Sequence, residues 1–280
     1  MKRIFIILFL IMLLFYSCFL TSGGSANEPS VEYPTLGLVG YFPFDGDLKD
    51  YSDSCNYCID HTDSLYINGI IGQAKDFNGE SDMLRLRNTL HASNGLTFSF
   101  WLKSRGVKAG QENGVIIGKY DFTTWGRCFL INTQASSTVN NPSLRGNFYP
   151  NGTTSNYADG IYSDIYSLDD VPSGRDSLKY AIYEPMDLPL NVWTHCVINV
   201  SDTSMQAWIN GILTVSIERE YESYNDISQW NLNDVPTYIG NCPTAGSGGN
   251  NHYNGVIDEL LIYNRPLTEE EILSIYEEAE

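Results

Sequence analysis

The sequence predicts an all-β protein, a two-sheet antiparallel sandwich that ends in one short helix. Asn-Gly occurs seven times between short apolar segments, and two-residue hairpin turns favour this dipeptide because both positions accept a positive φ. Tyrosine (19 residues) and phenylalanine (12 residues) are abundant, as is usual in strands. Helical periodicity is confined to the last dozen residues. Together these observations predict the all-β class.

The first 18 residues are predicted to be a bacterial export signal. Lys2 and Arg3 precede an apolar run over 4–15, which is too short to span a membrane comfortably. Ser17-Cys18 at its end resembles the lipobox of bacterial lipoproteins, which predicts lipidation of Cys18. The protein is then exported and anchored at the outer membrane or cell surface through its lipid. An ordinary secretory signal, giving a periplasmic or secreted protein, is the alternative.

Residues 19–35 show no periodicity and are predicted to be a flexible tether. The remaining 36–280 have the length of one large β-sandwich domain. Within it, 96–102 alternates Leu96, Phe98, Phe100 and Leu102 with polar residues and Trp101, which predicts a central strand with Trp101 on the second face. Further strands are predicted at 38–44, 73–77, 83–86, 115–117, 128–131, 144–149, 178–183, 192–200, 205–209, 212–217, 235–240 and 254–264.

Two local features are especially clear. Asn210-Gly211 should join two strands by a two-residue turn that pairs Ile209 with Ile212 and Trp208 with Leu213. At the C-terminus, Thr268 and Glu271 have the spacing of a capping box at the start of a helix. Ile272, Ile275, Tyr276 and Ala279 form one apolar stripe, so this helix should pack on the sandwich.

Residues 132–190 are the least regular part of the domain. They are rich in Ser, Asn, Asp, Tyr and Gly, and they are too long for a plain loop in a compact domain. We interpret them as an elaborated insertion, a kind of segment that often carries function.

The strand predicted at 254–264 contains a charge in an unexpected place. Strict alternation puts Val256, Leu260 and Ile262 on one face, and Asp258 falls on that same face. A buried carboxylate is unfavourable unless it is paired or holds a cation.

Charge and cysteine content limit the function classes. With 34 Asp and Glu against 16 Lys and Arg, binding to nucleic acid or to an anionic membrane by charge is disfavoured. Besides Cys18 there are five cysteines: Cys55, Cys58, Cys128, Cys196 and Cys242. Cys55 and Cys58 lack the second pair that a zinc site needs, but they have the spacing for a local disulfide. Cys196 lies in an apolar strand and is expected in the core. The pairing of the others stays open.

A series of motifs resembles one known family. They are Leu-Val-Gly-Tyr-Phe-Pro-Phe-Asp-Gly (38–46), Gly-Gln-Ala-Lys-Asp-Phe-Asn-Gly (72–79), 96–102, Trp-Thr-His (193–195), Trp-Ile-Asn-Gly (208–211), Tyr-Ile-Gly (238–240), and the stretch 255–268. In this order they resemble the laminin-G-like, concanavalin A-like lectin/glucanase jelly-roll domains of exported bacterial proteins. The chain departs from the pattern in the segment 55–58, which contains two cysteines, and in the insertion.

The resemblance implies two face-to-face sheets with the first and last strands adjacent. It also implies a structural Ca²⁺ at that edge, for which the matching residues are Asp45, Asn78 and Asp258. Ca²⁺ takes six to eight oxygen ligands, so these three are compatible with a site but do not complete one. Alternatively, Asp258 pairs with Arg265 or caps backbone amides.

The sequence predicts a protein that is not an enzyme. Glycoside hydrolases of this fold need two facing carboxylates, and no Glu-x-Asp-x-x-Glu strand is present. Glu218, Glu220 and Glu222 come nearest, and we interpret them as a solvated strand end. No nucleophile elbow and no phosphate loop occur. His195 follows Trp193 in a family strand position and is expected to be a scaffold residue.

A glycan-binding function has more support from residue types. Aromatic faces stack on sugars while amides bind hydroxyls, and the candidates are Tyr120, Trp125, Tyr149 and Tyr157. The alternative is that these aromatic residues cover the edge of the core. We predict a non-catalytic, surface-anchored carbohydrate-recognition domain that binds a glycan or glycoprotein. A divergent glycoside hydrolase and a structural or adhesive protein-binding module are the alternatives.

Overall fold

A computed structural model describes residues 32–60, 65–87, 90, 94–121, 126–135, 141–148, 159–161, 186–218, 235–243 and 250–279. The compact domain spans Tyr33–Glu280. The predicted signal, Cys18 and most of the predicted tether lie outside the described residues. Tyr33 is buried, so the ordered domain begins slightly before residue 36. Within the described part of the chain, no helix is long and apolar enough to cross a membrane.

The described residues form strands and one helix with the following bounds: β1 Leu38–Phe42, β2 Cys58–Asp60, β3 Tyr66–Asn68, β4 Gln73–Asn78, β5 Leu84–Leu86, β6 Gly95–Ser104, β7 Asn113–Asp121, β8 Gly126–Gln134, β9 Ser143–Phe148, β10 Asp159–Ile161, β11 Trp193–Ser201, β12 Ser204–Ile209, β13 Ile212–Glu218, β14 Tyr238–Ile239, β15 Asn254–Tyr263 and α1 Glu269–Glu277.

The strands make two antiparallel sheets, as predicted. The eight-stranded sheet has the order β13-β12-β11-β6-β15-β4-β3, with β1 also paired to β15. The seven-stranded sheet has the order β10-β9-β8-β7-β14-β5-β2. The first and last strands, β1 and β15, are neighbours, which confirms the adjacency that the jelly-roll resemblance implied.

The core lies between the two sheets. The rings of Phe98 on β6 and Phe129 on β8 have centroids 4.8 Å apart and join the sheets directly. Leu96, Phe98, Phe100 and Leu102 all belong to this core. Trp101 lies on the opposite face of β6, where its ring stacks on Tyr276 of α1 at 5.7 Å. The alternation predicted for β6 is therefore confirmed.

The local predictions at the hairpin and the helix are also confirmed. Asn210 and Gly211 have φ angles of 49° and 72°, and the flanking strands pair in the predicted register. Both hydrogen bonds of the capping box between Thr268 and Glu271 are formed. Ile272 of α1 is fully buried against the sandwich.

The predicted alternation along β15 is correct for Val256 and Asp258 but wrong for Leu260 and Ile262. Against β6, Asp258 pairs with Trp101 whereas Leu261 pairs with Ser99, so β15 has one extra residue at this point. Such a bulge inverts the alternation of side chains beyond it. Leu260 and Ile262 therefore share the core face with Ile257, and Asp258 points to the other side of the sheet.

The predicted insertion at 132–190 is partly regular structure. β9 and β10 extend the seven-stranded sheet beyond β8. The strand predicted at 178–183 lies outside the described residues. β2 and β3 were not predicted, because three residues are too few for periodicity to register.

Two statements about cysteines can be tested. Cys58 is a thiol, so the local disulfide with Cys55 that the sequence allowed is not formed. Cys196 is fully buried in the core, as predicted.

Candidate functional site

One candidate region lies where β15 changes partners. Its first half, Asn254 to Ile257, pairs with β4. Its second half, Leu260 to Tyr263, pairs with β1. Asp258 and Glu259 occupy the change-over, and Glu259 has a left-handed φ of 47°, which non-glycine residues rarely adopt. We call Asp45, Asp258 and Glu259, with Tyr33 and Tyr41, the acid cluster.

Asp258 holds the turn between β3 and β4. Its Oδ2 accepts hydrogen bonds from the backbone N–H groups of Ile70 (2.8 Å) and Ile71 (3.3 Å). Its Oδ1 accepts from the N–H of Glu259 at 2.9 Å. A Cβ at Gly69 would lie 2.3 Å from Oδ2, so only glycine lets the turn come this close. Asp258 thus caps backbone amides, which was one of the alternatives.

The other alternative for Asp258, an ion pair with Arg265, is not formed. Arg265 pairs with Glu271 of α1 instead, with 2.6 Å between Nη2 and Oε1. Asp258 is fully buried, and this burial, with the nearby Glu259 charge, raises the pKa of Asp258 to about 8.

Glu259 is the residue that sequence reasoning missed in this region. Its Oε2 accepts hydrogen bonds from the hydroxyls of Tyr33 and Tyr41, both at 2.9 Å. Its Oε1 is buried and has no hydrogen-bond partner among the described residues. The side chain is 2% exposed, and burial raises the pKa of Glu259 to about 7. Two successive acids within an apolar strand were the available signal.

The structure does not bring the three predicted cation ligands together. Asp45 lies by the same turn as Asp258, since its Oδ1 accepts from the N–H of Gln73 at 2.6 Å. Asn78 instead pairs with Asn254, four residues before Asp258, which is about 13 Å along a strand. Its Oδ1 is occupied by the backbone N–H groups that follow it, from Glu80 to Asp82.

The predicted set therefore does not fit Ca²⁺ as a set. Within the described ranges, no three or more His, Cys, Asp or Glu side chains are arranged to hold a metal. Asp45 is electrostatically coupled to Glu259, whose pKa its charge raises further. Within the acid cluster, Asp45 and Glu259 are therefore the residues best placed to offer oxygens to a cation. Oε1 of Glu259 has no hydrogen-bond partner among the described residues.

A second candidate region is the outer face of the seven-stranded sheet. Register places one row of cross-strand neighbours across this face, one residue from each strand. The row runs Ile59, Arg85, Tyr238, Gly118, Leu130, Asn147 and Gly160. The flanking residues Leu84, Leu86 and Ile239 are buried in the core, which fixes the row on the outside. None of its side chains is acidic.

The side chains of the row are exposed at its β2 end and buried toward its β9 end. Ile59 is 42% exposed and Arg85 is exposed, whereas Leu130 is only 9% exposed. Tyr57 and Arg87 extend the open end: Tyr57 is 40% exposed, and the Arg87 guanidinium carbon lies 4.9 Å from its ring centroid.

We call Tyr57, Ile59, Arg85, Arg87 and Tyr238 the arginine–tyrosine patch. Sequence reasoning missed this patch, because strand pairing alone brings 57–59, 85–87 and 238 together.

Of the predicted glycan-binding residues, Tyr120 can be placed. It packs with Val115, Leu130 and Cys242 in a small cluster on the outer side of the seven-stranded sheet, and Tyr238 packs against this cluster. Tyr120 is only 6% exposed, so it packs beside Tyr238 of the patch and presents little ring surface of its own. Trp125, Tyr149 and Tyr157 lie outside the described residues.

His195 has the setting of a scaffold residue, as predicted. It is fully buried, its Nε2 lies 2.8 Å from Ser99 Oγ, and its ring stacks on Tyr276 at 5.7 Å. Burial lowers the pKa of His195 to about 3, so the ring is neutral. A serine–histidine pair beneath a helix has no access to substrate.

Residues 78–273 match the family model of the concanavalin A-like lectin/glucanases superfamily. This is more than half of the chain, and the protein belongs to that superfamily. No curated protein matches the chain.

Solved structures with the same fold include sugar-binding and toxin domains. Domain 4 of AbnA, a GH43 extracellular arabinanase from Geobacillus stearothermophilus in complex with arabinotriose, is 19% identical with a TM-score of 0.57, over 85% of this chain and 98% of that one. The binding domain of Paraclostridial Mosquitocidal Protein 1 is 16% identical with a TM-score of 0.59, over 86% of this chain and 52% of that one.

A third structure concerns botulinum neurotoxin type C, whose cell entry depends upon interaction with two ganglioside molecules. It is 12% identical with a TM-score of 0.56, over 88% of this chain and 52% of that one. The present chain thus spans about half the length of these two toxin chains. At such identities the likeness shows the shared fold.

Proposed function

We propose that the protein is a non-catalytic carbohydrate-recognition domain, anchored at the bacterial surface, which binds a glycan or glycoprotein on the outer face of its seven-stranded sheet. The observation that carries this proposal is the arginine–tyrosine patch. It combines exposed ring and aliphatic surface with guanidinium donors, which is the mixture that sugar faces and hydroxyls require.

The position of the acids supports a binding function over hydrolysis. A glycoside hydrolase needs two carboxylates on either side of the bond it cleaves. Asp258 and Glu259 are adjacent but buried, and their oxygens accept bonds from Ile70, Ile71 and two tyrosines. The superfamily includes both lectins and glucanases, so this placement of acids is what favours the lectin-like alternative here.

The experiment is a glycan panel probed with the full chain purified in mild detergent. We expect binding to at least one polysaccharide and a loss of about two- to tenfold or more in Tyr238→Ala, since an aromatic contact contributes about 0.5–1.5 kcal/mol beyond the area it buries. Ile59→Ala should also weaken binding, whereas Ile212→Ala should not. Ile212 is a matched control because it is exposed on the other sheet.

Two results would contradict the proposal. One is the absence of binding across a broad panel that includes neutral and charged polysaccharides. The other is release of reducing ends from any member of the panel, which would favour the hydrolase.

We also propose that Ca²⁺ stabilises the acid cluster by binding carboxylate oxygens of Asp45 and Glu259. Its support is the carboxylate oxygen of Glu259 that has no partner among the described residues, together with the preference of Ca²⁺ for carboxylate oxygens. We expect CaCl2 to raise the melting temperature at pH 7.5 relative to EDTA, and Glu259→Gln to abolish the rise. An equal rise in the variant would place the ion elsewhere.

Anchoring through Cys18 is a separate part of the proposal and rests on the lipobox-like sequence. Metabolic labelling with a fatty-acid analogue should mark the wild-type protein and leave Cys18→Ala unlabelled. Labelling of the variant, or none in the wild type, would favour the secretory alternative.

A further inference from the structure

We infer that the ligand of the arginine–tyrosine patch is an acidic glycan, one whose sugars carry carboxylate groups. This inference rests on the proposed function and specifies its ligand. It comes from the charges of this face compared with those of the rest of the protein.

Among the described residues, four other cations form ion pairs with acids. Lys49 pairs with Asp47 at 3.1 Å, Arg105 with Asp76 at 2.6 Å, and Arg265 with Glu271 at 2.6 Å. Lys108 likewise pairs with Glu80. These pairs are expected in a chain with a formal net charge of −18, where acids outnumber bases about two to one.

The patch differs from these four pairs. Among the residues that the structure describes, neither Arg85 nor Arg87 has a carboxylate partner, and the outer row contains no acidic side chain. Arg85 is flanked across the sheet by Ile59 and Tyr238. Both guanidinium groups belong to exposed residues and have no acidic partner in the described part of the chain, on a protein whose net charge repels anions in general.

The spacing of these two arginines suits carboxylates along a sugar chain. Arg85 lies on β5 and Arg87 directly follows that strand, so the two are about 7 Å from each other at the backbone. The planar guanidinium fork binds a carboxylate through two parallel hydrogen bonds. Contact with the Tyr57 ring restrains Arg87, so less side-chain freedom is lost on binding. A neutral sugar has no carboxylate to form this pair of hydrogen bonds.

The experiment measures the affinity of the full chain for polygalacturonate, for a sialylated oligosaccharide and for neutral arabinan. The first two probes distinguish the two sources of a sugar carboxylate, a uronic acid and a sialic acid. We expect one of them to bind, and arabinan to bind at least tenfold more weakly.

Three variants test whether binding of the acidic glycan depends on the charge and shape of the Arg85 side chain. Arg85→Gln should weaken binding at least tenfold, and Arg85→Lys should recover only part of the loss because lysine lacks the fork. Lys49→Gln removes an equal charge from a paired position and should change nothing. Raising NaCl from 50 to 500 mM should weaken wild-type binding and have less effect on Arg85→Gln.

The outcomes separate this inference from the proposed function. Binding to arabinan alone, or acidic binding unchanged in Arg85→Gln, would overturn the inference while the carbohydrate-recognition function stood. Binding to none of the three, and to no other member of the glycan panel, would overturn both.

Discussion

The acid cluster and the arginine–tyrosine patch both place tyrosines beside ionisable side chains. They differ in how far these side chains are buried and in whether they have partners within the protein. In the acid cluster, Asp258 and Glu259 are almost completely buried and bonded to backbone amides and tyrosine hydroxyls. In the patch, Arg85 and Arg87 are exposed and lack acidic partners among the described residues.

This difference separates a structural element from a recognition surface. A buried carboxyl group whose hydrogen bonds are made within the protein joins segments of chain, and here the acid cluster joins β1, β15 and the turn at 69–72. An exposed charge without a partner is available to a ligand. We therefore expect changes in the acid cluster to alter stability and leave binding intact, and changes in the patch to do the reverse.

The largest expected effect on stability is that of Asp258→Ala. It removes the acceptor of the Ile70 and Ile71 amides and leaves a cavity, and each buried donor without a partner costs about 1–3 kcal/mol. We expect the free energy of unfolding to fall by about 2–4 kcal/mol in denaturant titrations. A loss below about 1 kcal/mol would mean that the turn does not depend on this carboxylate.

The next largest effect is a pH dependence of the free energy of unfolding, which originates in Asp258 and Glu259. The pKa values of Asp258 and Glu259 are about 8 and 7 in the folded protein and about 4 in the unfolded chain. Because the folded state holds these protons more tightly, their contribution to stability is complete below about pH 4 and is lost as the pH rises through 7 and 8.

The measurement for this pair is the free energy of unfolding, from denaturant titrations between pH 5 and 8.5 in EDTA, for wild type and for a double variant, Asp258→Asn with Glu259→Gln. The wild type should lose stability with rising pH by at least about 1 kcal/mol more than the double variant. Parallel curves for the two proteins would show that the acid pair is not the source.

A smaller effect is expected for Tyr41→Phe. It removes one of the two hydroxyls that donate to Glu259 Oε2, and a hydrogen bond to a charged group contributes about 1.5–3 kcal/mol while a neutral one contributes about 1. At pH 5.5, where Glu259 is protonated, the loss should be about 1 kcal/mol, and at pH 8 it should be larger. Equal losses at both values would contradict the assigned titration of Glu259.

The smallest effect on stability is expected in the patch itself. Arg85→Gln and Ile59→Ala each change an exposed side chain, and such substitutions usually stay within about 0.5 kcal/mol. Their unfolding curves should overlay that of the wild type while their glycan affinities fall. A matching loss of stability would mean that the patch is part of the structural frame.

The features that the sequence predicted are those set by neighbours along the chain. The alternation in β6, the turn at Asn210-Gly211 and the capping box of Thr268 each depend on a few consecutive residues. The bulge at Glu259 was not predictable, because a glutamate gives no signal for a left-handed φ. The patch was not predictable either, since Arg85 and Tyr238 become neighbours only through the order of strands in the sheet.

The central claim, that the open sheet face binds the glycan, is tested most directly by hydrogen–deuterium exchange with and without the tightest-binding member of the glycan panel. The ligand should slow exchange in peptides that cover 57–59, 84–87 and 235–240, and leave 212–218 on the opposite sheet unchanged. Slower exchange confined to the eight-stranded sheet, with the patch unaffected, would contradict the claim.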